Sequence, residues 1–136
     1  MLGTTKIKVS VIALGLWAAG GTFWGGTDQG AIEKAINASI DTGVNFIDTA
    51  PGYGYGLSEE ILGRAIKGKR DSVVIATKCG LVWDINEGFL HYSFPGIGNE
   101  KSVNVYRRLK KDSIKKELQQ SLKLLGTDYI DLYQTH

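Results

Sequence analysis

Four residues in this 136-residue sequence have the types and places that carbonyl reduction needs: Asp48, Tyr53, Lys78 and His136. Asp48, Lys78 and His136 each close a mainly apolar stretch, residues 44–48, 72–78 and 129–136. A charged head group at the rim of a core is costly unless paired, so Asp48 and Lys78 read as partners. Tyr53 stands in the turn Pro51-Gly52-Tyr53-Gly54-Tyr55-Gly56, whose glycines let the backbone bend sharply and fold the ring back over the strand ends. A phenol with an ordinary pKa of about 10 holds its proton at neutral pH and can give it to a carbonyl oxygen that becomes an alkoxide. A nearby ammonium favours the resulting phenolate, a role open to Lys78 while Asp48 keeps it charged and aimed. His136 can hydrogen-bond the same oxygen and orient the substrate. No side chain supplies hydride, so the chemistry calls for a nicotinamide cofactor. The bland alternative is a structural ion pair with a turn aromatic covering the core.

The elements that must position these groups alternate. Residues 9–14 are a short, β-branched apolar run and read as a buried strand, with residues 6–9 alternating before it. A small N-terminal hairpin with Thr4-Thr5 at its turn fits that pattern. Residues 15–27 are loop, with five glycines among Trp17, Phe23 and Trp24. Ala31, Ile32, Ala35, Ile36 and Ile40 recur at helical spacing, with Thr27 or Asp28 as cap and Gly43 as stop. A strand over 44–48 follows. Ser58 is then expected to cap a helix with Ile61, Leu62, Ala65 and Ile66, ending at Gly68. Residues 72–78 are a third strand. Asp112 is expected to cap a long helix with Ile114, Leu118, Leu122 and Leu125 on one face and Gly126 at its end. Residues 129–136 are a fourth strand. Strands and helices in this order imply parallel strands joined by right-handed crossovers, in a doubly wound sheet or part of an eight-stranded barrel. In such folds ligands sit at the carboxyl ends of strands, where Asp48, Lys78 and His136 stand.

Residues 80–110 form an unusually long connection. It carries Trp83, Phe89, Tyr92, Phe94 and Tyr106, so it reads as a lid or binding loop rather than a disordered insert. The net charge of +2 is too near neutral to imply nucleic acid or an acidic membrane surface as partner. The basic run 107–111 reads as a solvated helix start. No apolar run approaches the ~20 residues of a membrane span. A single cysteine, Cys79, excludes an internal disulfide and fits a cytoplasmic location. His91, His136 and Cys79 lack metal-ligand spacing, so no metal is expected. Cys79 itself reads as an inert buried thiol. Glu59 and Glu60, at a helix start, read as partners of the helix dipole.

The motifs together resemble one family. Gly43-Val44-Asn45-Phe46-Ile47-Asp48-Thr49-Ala50, Tyr53-Gly54 and Ser58-Glu59-Glu60-Ile61-Leu62-Gly63 look like the first signature of the aldo-keto reductases. Val74-Ile75-Ala76-Thr77-Lys78 resembles the family's lysine strand. Residues 112–125 and the run Gly126-Thr127-Asp128-Tyr129-Ile130-Asp131-Leu132-Tyr133-Gln134-Thr135-His136 resemble its histidine strand and the helix before it. The resemblance implies four parallel strands alternating with helices, the N-terminal half of a (β/α)8 TIM barrel, as one domain over residues 1–136. It implies NADPH-dependent reduction of aldehydes or ketones. Tyr53 matches the proton donor, Asp48 and Lys78 its activating pair, and His136 the residue that orients substrate. Asp48, Tyr53 and His136 would also touch the cofactor, and Trp17 and Trp83 would line the substrate pocket. The long connection after Lys78 corresponds to a substrate loop.

A typical barrel of this kind has ~250 residues, and its phosphate site often follows strands seven and eight. Most of the NADPH site is therefore expected to lie outside these residues. Exposed strand edges and an open inner face invite association, so a homo-oligomer is expected. The main rival is a non-catalytic half-barrel that self-associates without cofactor. A third reading, a Schiff base on Lys78, is disfavoured because a carboxylate partner keeps the lysine protonated.

Overall fold

The computed structural model describes residues 1–22, 24–94 and 102–136. Strand β1 (Ala13–Gly15) is followed by helix α1 (Gln29–Asp41), β2 (Phe46–Asp48), α2 (Leu57–Ala65) and β3 (Val74–Cys79). Then come β4 (Leu81–Val82), β5 (Phe89–Phe94), β6 (Val103–Arg107), α3 (Lys111–Leu125) and β7 (Leu132–Thr135). The parallel strands β1, β2, β3 and β7 form one sheet in that order, with Gly15 beside Asp48, Asp48 beside Ala76 and Lys78 beside Gln134. This is the expected alternation of four parallel strands with three helices. Among the described residues no helix is long and apolar enough to cross a membrane.

The helices cover one face of the sheet. Ile36 of α1, Ile61 and Leu62 of α2 and Leu125 of α3 meet Ile47 and Ile75 of the strands, each 1% exposed or less. Complete burial of one such side chain is worth roughly 1.5–3 kcal/mol, so this interface holds the strand ends in register. Because side chains alternate along a strand, Ile47 and Ile75 face the helices while Asp48, one residue on, faces the other way.

Several details depart from the sequence reading. The first strand is shorter than residues 9–14, and its apolar side chains are not all buried: Val11 is fully exposed and Ile12 is 72% exposed. β1 lies at the sheet edge with β2 on one side, so a β-branched run here is not covered. The N-terminal hairpin is reduced to a turn, in which the Leu2 and Thr5 amides donate to Ile7 O and Leu2 O without a following ladder. Asp28, not Thr27, caps α1 by accepting from the Ala31 amide. Ser58 does not cap α2; Gly56, at φ +98°, stands there, and Ser58 is one turn-position inside and fully buried. Asp112 likewise lies inside α3, where its carboxylate takes a hydrogen bond from Arg108.

The long connection is not a simple loop. It contains a three-stranded antiparallel sheet in the order β4–β6–β5. The ladder slips between Leu90 and Tyr92, leaving His91 as a bulge. Phe23 and residues 95–101, which belong to the expected loops, lie outside the described residues.

Candidate active site

Lys78 organises the site. Its ammonium donates to Asp48 Oδ2 at 2.8 Å, to the Thr49 carbonyl at 2.9 Å and to the Tyr53 hydroxyl oxygen at 3.0 Å. An ammonium has three N–H groups and no acceptor, so all three are used. The Tyr53 oxygen is the acceptor in its contact, which leaves the phenolic proton to be donated elsewhere. Lys78 also lies 4.7 Å from the Tyr53 ring centre, where the π face adds attraction for the cation. Asp48 receives a second, longer contact from Gln134 Nε2 at 3.4 Å. The Lys78 and Asp48 side chains are 14% and 34% exposed, so their pairing is shielded but not dry.

Tyr53 reaches this position because the turn that holds it is pressed against the chain after β1. A Cβ on Gly20 would sit 2.4 Å from the Tyr53 carbonyl carbon, and one on Gly54 would sit 2.3 Å from Gly20 O. Gly54 also has φ +68°, which L side chains rarely adopt. His136 packs its ring edge-on to Tyr53 with centres 5.8 Å apart, and its amide donates to Cys79 O at 2.9 Å. Burial, together with Lys78 and His91, lowers the His136 pKa from its ordinary value, against a smaller opposing pull from Asp48. The neutral imidazole is thereby favoured, with one nitrogen as donor and one as acceptor.

A cavity of about 400 Å³ opens beside Tyr53 and His136, lined also by Trp17, His91, Tyr92 and Phe94. The sequence expectations about pocket residues thus divide. Trp17 borders the same cavity as Tyr53 and His136. Trp83 does not; its ring meets Tyr55 at 5.2 Å and faces a separate cavity of about 280 Å³ between β4 and α3. Trp83 comes directly after β4 and follows the antiparallel sheet away from the tetrad. His91 lines the cavity too, yet nothing in its sequence context marks the bulge that places it there. A bulge re-aims side chains and is common beside active sites. Glu59 lies in the first turn of α2, as expected, but does more there. It is fully buried and takes a 2.6 Å hydrogen bond from Thr77, a partner its sequence context does not reveal.

Parallel strands with helices between them, and a Tyr–Lys–Asp–His cluster at their carboxyl ends, define the N-terminal half of a (β/α)8 barrel with a polar site at its mouth. The chain belongs to the aldo/keto reductase family, whose model it matches over residues 11–136. It is 47% identical to the aldo-keto reductase YhdN of Bacillus subtilis over 99% of this chain and 36% of that protein. It is 44% identical to the NADH-specific methylglyoxal reductase of Escherichia coli over 99% of this chain and 40% of that protein. The structure resembles a glycerol dehydrogenase from Gluconobacter oxydans with a TM-score of 0.77 and 40% identity, covering 97% of this chain and 37% of that one. It also resembles a Klebsiella pneumoniae aldo-keto reductase in complex with NADPH, with a TM-score of 0.65 and 31% identity, covering 94% and 35% of the two chains. The chain therefore spans well under half the length of these relatives.

Proposed function

We propose that this chain supplies the carbonyl-reducing end of a nicotinamide-dependent aldo-keto reductase, with a small aldehyde or ketone as substrate. The observation that carries this reading is the use of all three Lys78 donors, one of them on the Tyr53 oxygen. That arrangement commits the phenolic oxygen to the ammonium and aims its proton away from it. As Tyr53 gives up the proton, Lys78 stands ready to stabilise the phenolate, and Asp48 holds Lys78 in place. His136, neutral and packed against Tyr53, presents an imidazole to the same carbonyl oxygen.

The residues fit the reactive end of a nicotinamide cofactor. The aromatic-lined cavity is of the size that small-molecule sites use. Asp48, Tyr53 and His136 would border the nicotinamide ring there. When bound, the cofactor would supply hydride to the carbonyl carbon. The described residues lining the cavity include no lysine or arginine to meet its phosphates. The resemblance favours NADPH, while one relative is named for NADH, so both cofactors belong in the test.

The test is titration of each reduced cofactor by tryptophan fluorescence, then carbonyl-dependent cofactor oxidation in the parent and Tyr53→Phe. The expected loss of rate is about 10²–10⁴-fold with cofactor affinity kept. A Tyr53→Phe protein as fast as the parent would overturn the reading.

A second reading has its own observation. Among the described residues β1 and β7 each have a strand on one side only, and Val11 and Ile12 are exposed beside β1. Such an edge favours pairing with another copy of the chain. The isolated 136-residue chain is expected to self-associate, and a clean monomer by light scattering at micromolar concentration would contradict this.

A further inference from the structure

Behind the tetrad, on the helix side of the sheet, two consecutive residues of α2 grip the chain neighbours of three residues at the site and the backbone of a fourth, Tyr53. Ser58 Oγ donates to the Leu16 carbonyl at 3.0 Å. Its single proton is then used, so the Thr49 hydroxyl must be the donor in the 2.8 Å bond between the two side chains. The Ser58 amide donates to the Tyr53 carbonyl at 3.2 Å. Glu59 Oε1 accepts from Thr77 Oγ1 at 2.6 Å, and its other oxygen is buried facing Ser121 of α3. Ser58, Glu59, Thr49 and Thr77 are all 0% exposed.

The gripped residues are the chain neighbours of those that face the site. Leu16 precedes Trp17, Thr49 follows Asp48 and Thr77 precedes Lys78. Successive residues of a strand point to opposite faces, so fixing Thr77 from the helix side fixes the phase of Lys78 on the other. The Thr49 carbonyl is itself an acceptor for Lys78, and the Thr49 side chain is held by Ser58. A polar pair buried this completely is costly unless hydrogen-bonded; four hydrogen bonds tie this one to the strand ends and the Tyr53 turn, and only Glu59 Oε2 of the pair's side-chain oxygens lacks one.

We propose that Ser58 and Glu59 are positioning residues for carbonyl reduction, a buried clamp that sets the spacing of Asp48, Tyr53 and Lys78 from behind the sheet. This rests on the carbonyl-reduction reading. The rival is a clamp that only fastens α2 to the sheet, which would affect stability alone.

Thr77→Val is the sharpest probe, because it keeps the shape of the side chain and removes the donor to Glu59. Thr77→Ser restores the donor, and Ser58→Ala tests the other half of the clamp. Thr77→Val and Ser58→Ala are expected to lower kcat on the order of ten- to a hundredfold with little change in KM for the cofactor, since small misplacements of reacting groups are costly. Thr77→Ser should recover most of the loss. A fall in unfolding midpoint with kcat within twofold of the parent would overturn the proposal. Should the parent reduce no carbonyl, the carbonyl-reduction reading fails separately, and the clamp is read from the ring ¹³C resonance of Tyr53, assigned with Tyr53→Phe. That resonance should move in Thr77→Val and Ser58→Ala and return in Thr77→Ser; an unmoved resonance in both variants would refute the clamp.

Discussion

The backbone of Gly20 lies directly against that of Gly54, closely enough that a methyl group on either would overlap the other's chain. On Gly20 it would come within 2.4 Å of the Tyr53 carbonyl carbon and 2.5 Å of the Gly54 nitrogen. The atoms in the way are main chain, so no side chain can rotate aside. Gly20→Ala must therefore push the Tyr53 turn outward. We expect a stability loss of about 1–3 kcal/mol, as for other overpacked sites. We also expect the rate of carbonyl reduction to fall on the order of tenfold or more. Urea unfolding and steady-state kinetics on the same protein check both, and an unchanged rate would mean that Tyr53 tolerates displacement.

The two tryptophans expected at the pocket should behave differently. Trp17 borders the cavity beside Tyr53 and His136, whereas Trp83 packs its ring on Tyr55. Trp17→Ala should raise KM for the carbonyl about tenfold, equivalent to about 1.4 kcal/mol. Trp83→Ala should leave KM within about twofold and instead weaken folding by roughly 0.5–1.5 kcal/mol or more through the lost ring contact. Equal effects on KM would show that the two cavities communicate.

The pH dependence of stability should carry a signature of Glu59. Burial raises its carboxyl pKa above the ordinary 4.5, and the Thr77 hydrogen bond, the neighbouring Ser121 hydroxyl and the charge of Lys78 offset only part of this. Tyr133 of β7 is also coupled to it. The folded acid holds its proton more tightly than the unfolded one. Between pH 4.5 and the higher folded value the native state binds more protons, so stability declines as pH rises through that window. Glu59→Gln keeps an acceptor for Thr77 and removes the titration, so its decline should be shallower. Glu117, also raised by burial, remains in both proteins and cancels in the comparison. His136 acts in the opposite sense: its lowered pKa makes stability fall as pH drops below 6.5. Urea midpoints measured from pH 4.5 to about 8 decide the point, and parallel curves for the two proteins would exclude a Glu59 contribution.

The tetrad was legible in the sequence because its members sit where periodicity changes. Asp48, Lys78 and His136 follow apolar runs, and Tyr53 stands between glycines; the structure brings the four together. The caps were less legible. Ser58 and Asp112 have the right types and places for capping, yet Ser58 is drawn inward by Thr49 and the Leu16 carbonyl, and Asp112 by Arg108. Tertiary partners outbid a local preference that is worth only about 1 kcal/mol. The run 9–14 looks buried in the sequence because a β-branched run cannot reveal which strand lies at an edge. The antiparallel sheet after Lys78 was hidden for a different reason. Its strands are only half-covered, and Phe89 and Leu90 are exposed, so their alternation does not mark a core face.

That antiparallel sheet shares no strand ladder with the parallel one among the described residues. It is anchored at its base, where the Arg108 amide donates to the Gly80 carbonyl and Gly80 in turn donates to Glu117. Its far strand delivers His91, Tyr92 and Phe94 to the cavity wall. The proposed proton-moving residues and much of the cavity wall thus belong to two separate sheets of one chain. On the proposed reading, changes in β5 and β6 that leave Gly80 and Arg108 in place should alter which compounds enter the cavity without altering the Tyr53 acid.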